Sequence, residues 1–180
     1  MFSVEAIKNL KNSGSVVPSS RFLAHKMTRR INGEDHVIVE FGTGNGKITK
    51  NILQKKSLQS KLVSFELNPA MHKKAKLKLP ENDKFWLVNE SAFAFDQFLA
   101  QHQIKKVDQF ISSLPLSLLK ENDIENLLAK VKAHLDPQGV FIQYQYSLDK
   151  YDFLKSHFKE VKLSFTPLNF PPAFIYRCSI

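Results

Sequence analysis

Between positions 37 and 53 the side-chain pattern changes period. Val37, Ile38 and Val39 are consecutive β-branched residues that offer apolar groups to both faces, as a strand buried inside a parallel sheet requires. Ile48, Ile52 and Leu53 then recur at helical spacing while Lys47, Lys50 and Asn51 point elsewhere, so a strand gives way to a helix within one short turn. The alternation continues. Further strands are predicted over 62–66, 85–89, 107–113 and 140–146, with helices over 69–79 and 93–103 between them. The clearest helix spans 122–135, where Ile124, Leu127, Leu128, Val131 and Leu135 repeat at three- and four-residue steps, and Pro137-Gln138-Gly139 is expected to turn it into the next strand. A short helix over 148–158 precedes two strands, 160–166 and 173–179, which are expected to pair antiparallel.

Two helices lead the chain. Phe2, Ala6, Ile7 and Leu10 gather on one side of residues 1–12 with Lys8 and Lys11 among the polar positions, giving a short basic amphipathic segment. Such a segment either lies in a bilayer interface or packs on the domain as an ordinary helix. After the linker 12–18, Ser20 is the expected N-cap of a helix through Ile31, with Leu23, Met27 and Ile31 as its apolar stripe. The pattern as a whole predicts an α/β sandwich: a seven-stranded, mostly parallel sheet closed by a C-terminal antiparallel hairpin, with helices on both faces. In such sheets ligands bind outside the carboxyl ends of the strands, so function is expected in the loops that follow the first four strands.

Length and charge narrow the picture. At 180 residues the chain is one domain of ordinary size, and its 43% hydrophobic content suits a globular core. A net charge of +9 points to an anionic partner, whether nucleic acid, a membrane surface or a phosphorylated substrate, or else to a merely solvated basic surface. The single cysteine, Cys178, excludes an internal disulfide, and the six histidines are scattered without zinc-ligand spacing, so no metal is expected. Residues 1–12 lack the apolar core of a signal peptide, and no run approaches the roughly 20 apolar residues of a membrane span. A cytoplasmic protein is expected, with any membrane contact peripheral.

The candidate chemistry lies in the first turn. Gly42, Gly44 and Gly46 alternate after Glu40, allowing positive φ and close approach of a ligand to the unpaired N–H groups of the new helix. The dinucleotide fingerprint would need glycine at position 47, where this chain has Lys47. Glu66 ends the second strand, where an acid is suited to ribose hydroxyls. A carboxylate at Glu40 would repel a pyrophosphate but suits a ligand carrying an ammonium and a sulfonium, which points to S-adenosylmethionine. Any parallel strand-to-helix junction also favours glycine, so the pairing with Glu66 carries more than the glycines alone.

The stretches V-V-P-S-S-R-F-L-A-H-K-M, V-E-F-G-T-G-N-G, F-E-L-N-P, S-S-L-P-L and F-P-P-A-F-I-Y-R, in this order, resemble the class I S-adenosylmethionine-dependent methyltransferases, which have a Rossmann-like fold. More narrowly the chain resembles bacterial phospholipid N-methyltransferases, which methylate the amine of phosphatidylethanolamine, and their relatives the rRNA adenine dimethyltransferases. The resemblance implies a methyltransferase domain over 33–180, preceded by a helical segment 1–32 that covers the cleft or meets the membrane. Carried over by position, Glu40, Gly42, Gly44 and Gly46 would hold the methionine part of the cofactor, Glu66 its ribose hydroxyls, and Glu90 would accept from the adenine amino group, with Thr43, Leu67, Ser91 and Ser112 among the other cofactor-binding residues. Asn89-Glu90-Ser91 departs from the family's Gly-Asp-Ala-like turn.

The fourth loop bears on the acceptor. Adenine-N6 methyltransferases carry Asn-Pro-Pro-Tyr or Asn-Leu-Pro-Tyr there, and this chain has Ser113-Leu114-Pro115-Leu116, with neither the amide nor the stacking ring. Base–aromatic stacking contributes roughly 1–3 kcal/mol, so its loss disfavours a nucleobase and favours an aminophospholipid amine, to be oriented by Ser113, with Leu116 as an apolar wall. Tyr144 is a candidate orienter or proton acceptor at the end of the fifth strand. The alternatives are an RNA methyltransferase and a cofactor-binding interaction protein without catalysis.

Overall fold

A computed structural model describes residues 19–80 and 83–180, so the expected amphipathic helix at 1–12 lies outside the described residues. Seven strands form one sheet in the order β3-β2-β1-β4-β5-β7-β6. Strands β1 (Val37–Phe41), β2 (Lys61–Phe65), β3 (Phe85–Val88), β4 (Val107–Ser112) and β5 (Leu135–Gln145) run parallel. The last two, β6 (Glu160–Thr166) and β7 (Ala173–Ser179), form the expected antiparallel hairpin, with β7 also antiparallel to β5. Because β1 lies between β2 and β4, the chain reverses its direction of travel across the sheet there, opening a crevice above their carboxyl ends.

Among the described residues, six α-helices cover the sheet: α1 (Arg21–Met27), α2 (Lys47–Lys55), α3 (Pro69–Lys76), α4 (Phe95–Gln101), α5 (Glu121–His134) and α6 (Tyr151–His157). Helix α1 is shorter than its apolar stripe suggests. Ser20 Oγ caps it by accepting from Leu23 N, but at the other end the Thr28 hydroxyl turns back onto the Ala24 carbonyl and Ile31 leaves the helix to reach the core. Asn68 caps α3 by accepting from Ala70 N and Met71 N, with Pro69 at the first helical position. The fifth strand differs from expectation. It starts at Leu135, directly from α5, because Leu135 pairs with Val107, and Pro137-Gly139 forms an irregularity inside the strand.

Two apolar layers hold these elements. On one face Phe41, Phe95 and Phe110 pack ring against ring at 5.2–5.5 Å beneath α4 and α5. On the other, Leu23, Ala24 and Met27 of α1 meet Ile48 and Ile52 of α2 over Ile38, Leu62 and Ile142. Fixed from both sides, the central strands give their loops a rigid base.

Candidate active site

The turn after β1 is held by its own backbone. Gly42 N and Thr43 N both donate to the Phe65 carbonyl at 2.9 and 3.1 Å, tying the turn to the end of β2. Gly42, Gly44 and Gly46 all have positive φ, at 84°, 57° and 78°, the region in which only glycine is unstrained. A Cβ on Gly42 would stand 3.5 Å from Ser113 Cβ, an ordinary contact, so the positive φ and not a lack of space calls for glycine there. Above the turn opens a cavity of about 370 Å³, walled by the loops after β1, β2, β3, β4 and β5.

Glu66 lies on this wall, buried, with Oε2 accepting from Gly44 N and Oε1 from Asn68 N, each at 2.8 Å. Gly42, Thr43, Gly44 and Leu67 share the wall, while Gly46 stands behind them as the N-cap of α2, against Leu79. Glu40 is not on the wall. It is fully buried beneath the turn, where its Oε2 accepts from Thr49 Oγ1 at 2.7 Å and Ser64 Oγ at 2.5 Å, while Oε1 has no partner. The Ser64 proton is committed to Glu40, so the Thr43 hydroxyl donates to Ser64, 2.6 Å away, completing a relay from the cavity wall to the buried acid. Burial is the main cause that raises the Glu40 pKa to about 7, against the lowering effect of the two hydroxyls, and the Glu66 charge raises it further.

The third loop divides. Ser91 lines the cavity and caps the 3₁₀ turn at Ala92–Ala94, whereas Glu90 is exposed and off the wall. Asn89 is structural, donating to the Glu66 carbonyl at 2.7 Å. The adjacent serines at the end of β4 likewise face opposite ways. Ser112 is buried off the wall with Oγ accepting from Leu114 N, and Ser113 lines the cavity with a buried Oγ that has no partner. Leu116 turns into the core, so Leu114, Pro115 and Leu118 supply the apolar wall in its place.

Strand β5 adds residues that the sequence reading passed over. Gln143 Nε2 and Gln145 Nε2 both donate to the Leu114 carbonyl, at 2.9 and 3.0 Å, and pin the fourth loop. Their signal was present as two amides at period two, Gln143 and Gln145, in an otherwise apolar strand. Between them Tyr144 reaches the wall, its ring edge-on to Tyr146 at 5.6 Å. Burial, then the neighbouring Tyr146, push the Tyr144 phenol well above its ordinary range, so it stays protonated. Among the described wall residues, Glu66 is the lone carboxylate, and none is Lys, Arg, His or Asp. The described residues contain no group of three or more His, Cys, Asp or Glu suited to a metal.

A family model described as a methyltransferase domain matches residues 38–139, the stretch that builds this cavity's first four loops. The chain belongs to this methyltransferase family. It is 31% identical over 166 residues to an ornithine lipid N-methyltransferase of Singulisphaera acidiphila, covering 91% of this chain and 86% of that protein. Its fold is that of solved structures including the precorrin 8w decarboxylase from Methanobacterium thermoautotrophicum, with a TM-score of 0.67, 16% identity and 94% and 95% of the two chains covered. Human methyltransferase-like protein 13, solved in complex with SAH, superposes with a TM-score of 0.65 at 15% identity over 89% of this chain and 78% of that one. The enzyme is a methyltransferase that uses S-adenosylmethionine. The cavity suits that cofactor: glycines with positive φ open the turn to it, and the Glu66 carboxylate stands at the end of β2, at the switch point.

Proposed function

We propose that this methyltransferase acts on the primary amine of an aminolipid, with ornithine lipid and phosphatidylethanolamine head groups as the candidate acceptors. The observation that carries the reading is the fourth loop. Among the described residues, its buried side-chain polar atom without a partner on the cavity wall is the Ser113 hydroxyl, set among Leu114, Pro115 and Leu118, and the Leu114 carbonyl is already taken by two glutamine amides. A hydroxyl in an apolar wall suits a single amine, and has too few donors and acceptors to read a base edge. The likeness to an ornithine lipid N-methyltransferase supports the same class.

In this reading Gly42, Thr43 and Gly44 cradle the methionine part of the cofactor, Glu66 accepts from its ribose hydroxyls, and Leu67 and Ser91 flank the adenine. Glu40 supports the cradle from below through Ser64 and Thr43. Glu90 and Ser112, being off the wall, act at most through their neighbours. When bound, S-adenosylmethionine would supply a methyl group on a cationic sulfur, to whose carbon the lone pair of the neutral amine would bond in line as the C–S bond breaks, leaving S-adenosylhomocysteine as a neutral thioether and a methylammonium that afterwards releases its proton to solvent. Ser113 accepts one N–H of the amine and fixes the lone pair, and Tyr144, held neutral, orients the acceptor as a donor. The apolar wall removes water, which favours the uncharged amine. The residues supply position rather than a base.

Purified enzyme with labelled cofactor, offered vesicles containing ornithine lipid, phosphatidylethanolamine vesicles and bulk RNA in parallel, tests this. Label in a lipid fraction is expected. Label only in RNA would overturn the acceptor, and label in neither, with cofactor bound, would favour the non-catalytic binding role.

A further inference from the structure

Charge and exposed apolar surface are both distributed unevenly over this molecule. Residues 19–80 carry thirteen Lys and Arg against four Asp and Glu, two of which, Glu40 and Glu66, are buried; residues 83–180 carry eleven of each. The N-terminal part therefore holds a net charge equal to that of the whole chain. It comprises β1, β2 and the helix layer on one face of the sheet, where α1 and α2 pack together, with α3 beside them and Leu79, just beyond it, against Gly46. The cations Arg21, Lys47, Lys50, Lys73 and Lys74 are exposed on this layer.

The second observation lies at the cavity mouth. Leu118 and Tyr146 line the cavity and are nonetheless about half exposed, and Leu148 follows in the same loop. Across the mouth, Phe170 is 83% and Leu168 58% exposed on either side of Asn169. Asn169 Oδ1 accepts from Ser20 N at 2.8 Å, which holds this loop at the start of α1, next to the wall residue Ser19 and the exposed Phe22. The apolar collar is thus continuous with the cationic helix layer. Scattered exposed apolar residues are ordinary, but convergence from three loops and the start of α1 on one opening beside a single-sign face is not.

We infer that the collar and the adjoining α1–α3 layer seat the protein on an anionic lipid bilayer, cavity mouth down. The inference rests on the aminolipid reading and identifies the surface through which such a substrate reaches the site. Leu168 and Phe170 enter the interface while the cations meet lipid phosphates, so the acceptor amine rises into the cavity with its acyl chains still in the bilayer. A nucleic acid would use the cations equally well and could stack on the aromatic members of the collar, but its aliphatic members Leu118, Leu148 and Leu168 suit acyl chains and offer a base no platform.

The test is vesicle co-sedimentation of the full chain, using phosphatidylcholine vesicles with and without phosphatidylglycerol, for wild type and for the double variant Leu168→Glu/Phe170→Glu. Cofactor affinity by calorimetry, which neither residue touches, reports that the variant is folded. Wild type is expected to bind the anionic vesicles, more weakly at high salt, and the folded double variant about tenfold more weakly. Unchanged vesicle binding in the variant, no vesicle binding by wild type, or retention by RNA in place of vesicles would overturn the seat. Collar-dependent vesicle binding with no lipid methylated would leave the seat standing and overturn the acceptor instead.

Discussion

Replacing Glu40 with Gln tests whether the acid beneath the cofactor turn is held against its preferred charge state. Burial raises its pKa from 4.5 to about 7, so the folded protein keeps a proton that the unfolded chain releases. Below the lower value both states are protonated and nothing is lost. As pH rises through this window, ionisation favours the unfolded chain, and the contribution of the protonated acid is gone above the folded value. At 1.36 kcal/mol per unit the full effect is about 3 kcal/mol, most of which falls between about pH 5 and about pH 8. Urea unfolding followed by the fluorescence of Trp86, the single tryptophan, gives the stability of both proteins at each pH. In Glu40→Gln the amide nitrogen takes the position of the unpartnered Oε1, a pH-independent cost of roughly 1–3 kcal/mol that cancels when only the change with pH is compared. The wild type should lose about 2–3 kcal/mol more than the variant over that range. A difference between the two that stays constant with pH would refute the assignment, because it would mean that the carboxylate is as comfortable folded as unfolded.

Three further outcomes are expected. Gly139→Ala puts a Cβ 2.8 Å from the Asp108 carbonyl oxygen, which is backbone and cannot swing away, so a stability loss of about 1–3 kcal/mol should appear in the same urea assay. Gln143→Leu with Gln145→Leu frees the Leu114 carbonyl and loosens the Ser113 loop; kcat should fall about tenfold or more with cofactor affinity unchanged, and equal losses in both would mean a general packing role. On the aminolipid reading the nucleophile is a neutral amine with pKa near 10, and because the phenol of Tyr144 stays protonated, kcat/KM should rise about tenfold per pH unit through neutrality; an inflection near 7 that survives Glu40→Gln would reveal an enzyme base.

The period of the apolar residues made the sheet, its hairpin and the loop ends legible, since each strand had to be buried on both faces or one. Where the reading fell short, the missing information was the direction of a side chain at a strand end. Ser112 and Ser113 are neighbours, and successive residues of a strand point to opposite faces, so one enters the cavity and the other the interior. Glu90 and Ser91 divide in the same way beyond β3. Glu40 stood in a recognisable motif, but its partners Thr49 and Ser64 come from α2 and β2, and their meeting beneath the turn depends on the register of β1 with β2. The start of β5 was misjudged because Pro137 and Gly139 look like a turn when only local propensity is weighed, and the pairing of Leu135 with Val107 outweighs it. The Gln143–Gln145 pair was readable as buried polar residues in a strand, although their shared acceptor was not.

The distribution of charge then gives the chemistry a simple form. The outer helix layer is densely cationic, yet the cavity wall carries one carboxylate, already bonded to two backbone N–H groups, and among the described residues no cation. An amine entering as ammonium would give up its hydration for a wall of Leu114, Pro115, Leu118 and two tyrosines, which raises the cost of the charged form relative to the neutral one. On the aminolipid reading, selection of the nucleophilic form is therefore a property of the whole wall. A single added basic group would hold its own proton close to the amine, and the like charge would raise the cost of the ammonium only while blocking approach to a cationic sulfur. Positioning by Ser113, a water-poor wall and a fixed turn avoid that conflict, so the interior of a strongly basic protein is kept almost free of charge.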